Sequence, residues 1–141
     1  MFRTFPLMAI PVALYNLIVF GGMLGNAKAF DILSKSFTIP MRSDEWVVQA
    51  GDFVLLVAIA MLFIEVIKSS GTSRKEMINN ALSMIVFVVA LVEFVLLGGF
   101  ATSNFFFIMV MCLFDSVAGP TITAVAAKRD LGIGQSLVDG A

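Results

Sequence analysis

Three carboxylic acids lie inside long apolar stretches of the sequence: Glu65, Glu93 and Asp115. On insertion scales an ionised acid at the centre of a bilayer costs roughly 3 kcal/mol, so such residues face other helices, water or one another. Acids of this kind either hold helices together through ion pairs and hydrogen bonds or pass protons and cations along a membrane route. They are therefore the first candidates for chemistry in this sequence.

Glu65 and Asp115 lie at a similar predicted depth, because each is within about one helical turn of the end of its apolar stretch. Lys68 follows Glu65 by one turn, and Arg3 can reach the same layer from the start of the chain. We interpret these residues as an interfacial ion-pair cluster that fixes the rotation of the helices. A proton or cation route through the two acids is the alternative hypothesis.

Glu93 lies deeper in its stretch, and no basic residue is near its level. We expect a protonated carboxyl that is hydrogen-bonded to Tyr15 or Asn16 of the first stretch, or a carboxyl that faces a wet cavity. In either case the side chain faces protein rather than acyl chains. A structural hydrogen bond and a proton or cation relay are the two hypotheses for its role.

Three glycines, Gly21, Gly22 and Gly25, lie near the end of the first stretch. The first and the last have the spacing that lets helix backbones approach closely in membranes. We consider two interpretations of them. The glycines either let neighbouring segments of the same chain pack closely against this helix, or they form a helix–helix interface with another subunit.

The sequence shows no catalytic constellation. It has no histidine, the commonest metal and haem ligand, and its one cysteine, Cys112, is interpreted as a small buried hydrophobe. It has neither a glycine-rich phosphate loop after a strand nor paired carboxylates in a polar pocket. A net charge of −1 gives no general attraction to nucleic acid. We therefore predict no enzyme activity, no catalytic residues, no cofactor, no metal and no nucleic-acid partner.

The elements that must position these residues are four apolar stretches. Of the 141 residues, 60% are hydrophobic and 13% are charged, against about 25% charged in a typical soluble domain. We predict an all-α membrane protein, a four-transmembrane-helix bundle in a single domain of residues 1–130. The predicted helices cover about 7–25, 52–68, 75–97 and 103–127, with a bend near Pro120. A secretory signal peptide is the rival interpretation of the first stretch.

The one long loop, residues 26–51, contains two segments rich in β-forming side chains, 36–39 and 46–49. We predict a short β-hairpin that lies over the membrane face. Trp46 would then lie at headgroup depth, the region of the bilayer that amphipathic rings prefer.

Polar residues mark two helix starts and the chain end. Asp52 is placed to cap the second helix, and Ser73 with Glu76 has the spacing of a capping box for the third. Residues 131–141 contain three glycines and no apolar run. We expect them to form a flexible cytoplasmic tail.

Basic residues in short loops favour the cytoplasmic side of a membrane. In a four-span arrangement one side carries six of them and the other three, partly offset by acids: Arg3, Lys68, Arg74, Lys75, Lys128 and Arg129 against Lys28, Lys35 and Arg42. We predict that both termini are cytoplasmic and that the 26–51 loop is periplasmic.

Short segments in all four stretches carry a family resemblance: Ala9-Ile10-Pro11, Gly51-Asp52, Phe63-Ile64-Glu65-Val66-Ile67-Lys68, Leu91-Val92-Glu93-Phe94 and Asp115. Through them the chain resembles a family of short, uncharacterised four-helix inner-membrane proteins from proteobacteria. The resemblance implies a multi-pass protein of the bacterial inner membrane, and it brings no assigned activity. Small multidrug exporters have a similar size, but their key glutamate is in the first span, where this sequence has Asn16 and no acid.

Two functional hypotheses follow. The first is a non-enzymatic accessory, structural or assembly subunit of a membrane complex or homo-oligomer, whose partners are membrane lipids and other membrane subunits or further copies of itself. The alternative is a small proton- or cation-coupled transporter or channel that uses Glu93, Glu65 and Asp115. A membrane-bound enzyme is a third and weaker hypothesis, since a nucleophile with its base is missing.

Overall fold

The computed structural model describes residues 4–68 and 73–138. This part of the chain is mostly helical, with five helices and one two-stranded sheet. The elements are α1 (Ala9–Leu24), α2 (Ala29–Leu33), β1 (Ser36–Pro40), β2 (Glu45–Gln49), α3 (Ala50–Lys68), α4 (Arg74–Leu96) and α5 (Ser103–Val138).

Three helices are long and apolar enough to cross a membrane. They are α3 with 19 residues, α4 with 23, and the first 20 residues of α5, Ser103–Ile122. The predicted helical fold is therefore present, with three candidate spans. Helix α1 is apolar but has only 16 residues, short of the roughly 20 that a bilayer crossing needs. Its crossing of a membrane, and with it the four-span topology, stays a prediction.

Large apolar side chains cover the outer faces of these helices. Leu17 of α1, Phe63 of α3 and Leu96 of α4 are 71%, 67% and 72% exposed, whereas Glu65 is completely buried. Soluble monomers rarely expose apolar patches of this extent. An exterior of apolar side chains around buried polar groups is what a helix bundle surrounded by lipid requires.

Helix α5 is the central helix of the bundle. It packs most extensively against α4 and next against α3, while α1 lies across α3 and α5. Near the start of α5, Tyr15, Phe100 and Phe105 are fully buried, and the ring of Phe105 lies 4.7 Å from that of Tyr15 and 4.9 Å from that of Phe100. These tilted ring contacts attach α1 to the beginning of α5.

The predicted β-hairpin is present. Strands β1 and β2 pair antiparallel from Ser36 opposite Gln49 to Pro40 opposite Glu45. The ring of Phe37 stacks on Phe53 of α3 at a centroid distance of 6.2 Å, which holds the hairpin against the bundle. The short helix α2, which precedes the hairpin, was not expected from the sequence.

Two helix starts differ in detail from their predictions. Helix α3 begins at Ala50, two residues before Asp52, because the Asp52 carboxylate reaches back and accepts a hydrogen bond from the Gln49 amide at 2.8 Å. Helix α4 begins after Ser73 as expected, but the Ser73 hydroxyl donates to Glu76 instead of capping a backbone amide.

The end of the chain differs more. Helix α5 continues through Pro120 to Val138, so residues 131–138 are helical, where a flexible tail was predicted. Pro120 has no amide to donate, but the hydroxyl of Thr121 donates to the Val117 carbonyl at 2.7 Å beside it. Glycines weaken a helix by about 1 kcal/mol each without removing its hydrogen bonds, so the two in this segment do not end α5. Residues 139–141 lie outside the described chain.

Candidate functional site

Glu65 is completely buried and joins three parts of the chain. Its Oε2 lies 2.9 Å from Lys68 Nζ and accepts a hydrogen bond from the Leu7 amide at 2.9 Å, while its Oε1 accepts from the Asn79 carboxamide. The side chain therefore connects α3 to α4 and to the turn that precedes α1. Each contact is a charge-assisted hydrogen bond, which is stronger than a neutral one.

The predicted ion pair between Glu65 and Lys68 is present. Lys68 also donates to the carbonyl of Phe5, so both members of the pair bind the segment before α1. Arg3, the other basic residue predicted for this layer, lies outside the described residues.

Asp115 is almost completely buried, with 3% of its surface exposed. It lies on α5 facing Ser83 of α4, and the charges of Glu65 and Lys68 act on it from the same end of the bundle. Asp115 is therefore within electrostatic range of Glu65 and Lys68, and a single ion-pair cluster that includes Asp115 stays a prediction. Lys68 pairs with Glu65, however, and within the described chain Asp115 has no ion-pair partner.

Four polar residues of α4 complete this layer, and the sequence analysis had singled out only one of them, Glu76, as part of a capping box. They are buried at 5%, 1%, 7% and 2% exposure: Glu76, Asn79, Asn80 and Ser83. Their spacing places them on one face of the helix, which we call the polar face of α4. That spacing was visible in the sequence, but it lies at the start of an apolar stretch and was overlooked.

Asparagine side chains rest on glycine backbones at two helix contacts. The Asn80 carboxamide occupies the space that a Cβ at Gly119 would need, and Asn104 does the same at Gly51. These glycines let α5 approach α4 and α3 closely. These two close contacts between helices are at Gly51 and Gly119, whereas the sequence analysis predicted close helix contacts at Gly21, Gly22 and Gly25.

The three predicted interface glycines behave differently from one another. Gly22 is buried, and a Cβ there would lie 2.7 Å from the carbonyl oxygen of Ala27 in the turn after α1. Gly25 faces its own helix, and a Cβ on Gly21 would meet nothing within 4 Å. Gly22 therefore lets the turn after α1 pack closely against this helix. A contact to another subunit through Gly21 and Gly25 remains a prediction.

Glu93 and Asn16 form the second polar contact of the bundle. The Asn16 Nδ2 donates to both carboxylate oxygens of Glu93, at 3.1 Å each, and to the Val12 carbonyl at 3.0 Å. Tyr15, the other partner considered for Glu93, instead shares a hydrogen bond with Thr102. The half-buried carboxyl thus faces an amide of α1, which is one of the two partners that the sequence suggested.

This pair lies in a groove between α1 and α4 with a volume of about 510 Å³. The groove is open to the side of the bundle, and its other lining residues are apolar, among them Val12, Ala13, Phe20 and Val89. We refer to it as the α1–α4 groove. Of the described residues that line it, Glu93 and Asn16 are the polar ones.

A second cavity of about 480 Å³ lies where α1 turns into α2. Val19, Met23, Phe30 and Thr102 are in its lining, and Lys28 is the one charged residue there. It is separate from the acids described above.

Within the described part of the chain the acids occupy two regions. Glu93 is ten residues beyond Ser83 on α4, which is about 15 Å along a helix axis. Cys112, fully buried as expected, lies within the electrostatic range of both Asp115 and Glu93 and supplies no polar bridge. Within the described residues no cluster of three or more His, Cys, Asp or Glu side chains forms a metal site.

The arrangement can hold helices together and bind a donor or a cation at a buried acid. No family model, no curated protein and no solved structure matches this chain.

Proposed function

We propose that the chain is a non-enzymatic integral membrane subunit that holds a transmembrane helix of another polypeptide in the α1–α4 groove. One observation carries the proposal, the Glu93–Asn16 pair in the middle of an otherwise apolar lateral groove. The proposed setting is a bacterial inner membrane that the chain crosses four times, with both termini in the cytoplasm.

The need of Glu93 for further hydrogen-bond donors supports this proposal. A carboxylate can accept about four hydrogen bonds, and among the described residues its two oxygens share one amide nitrogen of Asn16. Acyl chains offer no hydrogen-bond donor, so leaving the Glu93 carboxylate exposed to lipid in this groove costs free energy. A partner helix with an N–H or O–H group at this level would donate the hydrogen bonds that the carboxylate can still accept.

The surface of α1 that lines the groove is suited to close packing against a second helix. Ala9 and Ala13, one turn apart, both line it. Small residues at this spacing let a second helix backbone come close, and interhelical hydrogen bonds then add to the packing. Leu17, the next residue along the same ridge, is 71% exposed and is available for contact.

The transporter hypothesis has less support from the geometry. Glu65 is already bonded to Lys68, Leu7 and Asn79. Glu93 faces a lateral groove, and it is fourteen residues beyond Asn79, the α4 partner of Glu65, which is about 21 Å along the helix axis. A relay would need these groups along one connected polar path.

The groove can be tested by crosslinking in native membranes. On a Cys112→Ser background, Ala13→Cys and Val89→Cys place a reactive thiol in the groove, and Leu56→Cys, on a residue 65% exposed on α3, is the matched control. We expect the two groove positions to give an adduct with one other polypeptide and the control to give none. Adding Glu93→Ala should reduce that adduct severalfold.

Two outcomes would count against the proposal. The absence of a protein adduct at the groove thiols, as at Leu56, would mean that the groove faces the bilayer. Adducts that contain two differently tagged copies of this chain would assign a homo-oligomer in place of a distinct partner.

A further inference from the structure

We propose that a sodium ion binds between α4 and α5, held by the side-chain oxygens of Asn79, Ser83 and Asp115. The site lies in the first half of α4, just before the α1–α4 groove, whose lining on this helix begins at Ile85, and it does not depend on the proposed partner helix.

Three buried oxygen atoms without hydrogen-bond partners point to the ligand. Within the described chain the buried side-chain atoms left unsatisfied are Asn79 Oδ1, Ser83 Oγ and Asp115 Oδ2. Their residues are 1%, 2% and 3% exposed. Buried polar atoms are almost always paired, so three unpaired atoms at one contact call for a ligand. All three are oxygens, the ligand type that hard cations prefer.

The helices bring the three oxygens to the same contact. Asn79 and Ser83 are one turn apart on the polar face of α4. The Ser83 hydroxyl is close enough to act as a donor toward the Asp115 carboxylate on α5, although the two oxygens do not meet the geometry of a hydrogen bond. The Asn79 carboxamide has a fixed orientation, because its nitrogen donates to the Glu65 carboxylate. A carboxylate can only accept, so the Asn79 oxygen must point away from Glu65.

The charges of the layer favour a cation with a single charge. Glu65 is balanced by Lys68, whereas Asp115 has no ion pair among the described residues. Among the described residues the charge of Asp115 therefore lacks an ion pair, as does that of Glu76, which accepts a hydrogen bond from the Ser73 hydroxyl, and a buried unpaired charge is costly. A divalent ion would need a second carboxylate, but Asp115 supplies the one carboxylate oxygen among the three unpaired atoms, while Glu65 holds Lys68 and Glu76 holds the Ser73 hydroxyl. One carboxylate with a hydroxyl and an amide oxygen is suited to Na⁺.

The experiment is a thermal unfolding titration of the purified full-length protein in detergent. NaCl replaces N-methylglucamine chloride at constant ionic strength, with KCl as a further arm. We expect Tm to rise saturably with Na⁺ and more weakly with K⁺. Ser83→Ala should shift the Na⁺ midpoint upward by about tenfold, which corresponds to roughly 1.4 kcal/mol, and Asp115→Asn should abolish the response.

Ser116→Ala is the matched control, because this buried serine on α5 already donates its hydroxyl to the Leu113 carbonyl at 2.8 Å. Its Na⁺ midpoint should be unchanged. If Asp115→Asn does not fold, the proposal is tested by the Na⁺ midpoints of Ser83→Ala and Ser116→Ala alone. Equal Tm values in all three salts would overturn the proposal. So would a Tm that does not respond to Na⁺ and rises only on acidification, since a proton on Asp115 would then satisfy the oxygens.

Discussion

The carboxylate of Glu65, near the end of α3, accepts a hydrogen bond from the backbone amide of Leu7, 58 residues earlier. An acid on one helix thus supplies the acceptor for an amide that precedes another helix. With Lys68 and Asn79 bound to the same carboxylate, this one side chain ties together α3, α4 and the segment before α1.

Glu65→Ala should destabilise the protein strongly. It leaves the Lys68 ammonium, the Leu7 amide and the Asn79 carboxamide without their shared acceptor. Removing one member of a buried ion pair costs about 3–5 kcal/mol. The loss can be measured by reversible unfolding in mixed micelles. Glu65→Gln combined with Lys68→Met removes both charges, so we expect it to recover part of the loss. A Glu65→Ala protein as stable as the native one would show that the connection contributes little.

The Asn80 contact predicts that Gly119 does not tolerate a side chain. In Gly119→Ala the new Cβ would overlap the Asn80 carboxamide, and overpacking of this kind costs about 1–3 kcal/mol. Gly21→Ala is the matched control, because its Cβ would meet nothing within 4 Å. We expect Gly21→Ala to keep or slightly raise Tm, since alanine is the better helix former.

A second variant tests the cause of that loss. Asn80→Ala should make Gly119→Ala less harmful than it is in the native background, because the overlapping group is gone. A double-mutant cycle measured by thermal unfolding gives the coupling between the two positions. Additive effects would place the cause of the destabilisation elsewhere.

Several features of the fold follow directly from the sequence. Helices α3, α4 and the first part of α5 appear as apolar stretches of spanning length, because buried backbone amides in lipid must bond within their own helix. The hairpin appears through β-forming side chains on both sides of a polar turn. The Glu65–Lys68 pair appears through its spacing of one helical turn.

Other features depend on how the helices are rotated against one another, which no periodicity in one stretch determines. The polar face of α4 was missed because Asn and Ser scarcely interrupt an apolar stretch. The contact of Asn80 with Gly119 needs the relative register of α4 and α5, which is set by packing across the whole interface. The close approach at Gly22 is to its own chain because α1 ends in a tight turn, where Asn26 adopts a left-handed backbone conformation with φ of 56°.

Trp46 should report the position of the hairpin relative to lipid. It is the single tryptophan of the chain and is 54% exposed on β2. Tryptophan prefers the headgroup region, so in reconstituted vesicles we expect its fluorescence to be quenched more by shallow lipid-attached labels than by deep ones. Trp46→Phe provides the blank. Quenching by aqueous iodide alone would place the hairpin away from the membrane.

The subunit proposal predicts no proton transport that depends on Glu93. Vesicles that contain the purified protein and a trapped pH dye should give the same proton flux for the native chain and for Glu93→Gln. The reason is that Glu93 pairs with Asn16 in a lateral groove and has no polar connection to Glu65 among the described residues. A native flux that is lost in Glu93→Gln would favour the transporter hypothesis.

The pair of Asn16 and Glu93 should couple α1 to α4 energetically. Asn16→Ala leaves the carboxylate without its amide donor in an apolar groove, and Glu93→Gln replaces a charged acceptor by a neutral one. Interhelical hydrogen bonds in membranes contribute about 0.6–1.7 kcal/mol, so we expect a coupling of this size from the double-mutant cycle in mixed-micelle unfolding. The same cycle on Asn16 with Glu65→Gln should give a value near zero, because Glu65 bonds to Leu7, Lys68 and Asn79. Equal coupling to both acids would mean that Asn16 acts through the general stability of α1, and the groove would then lose its specific polar contact.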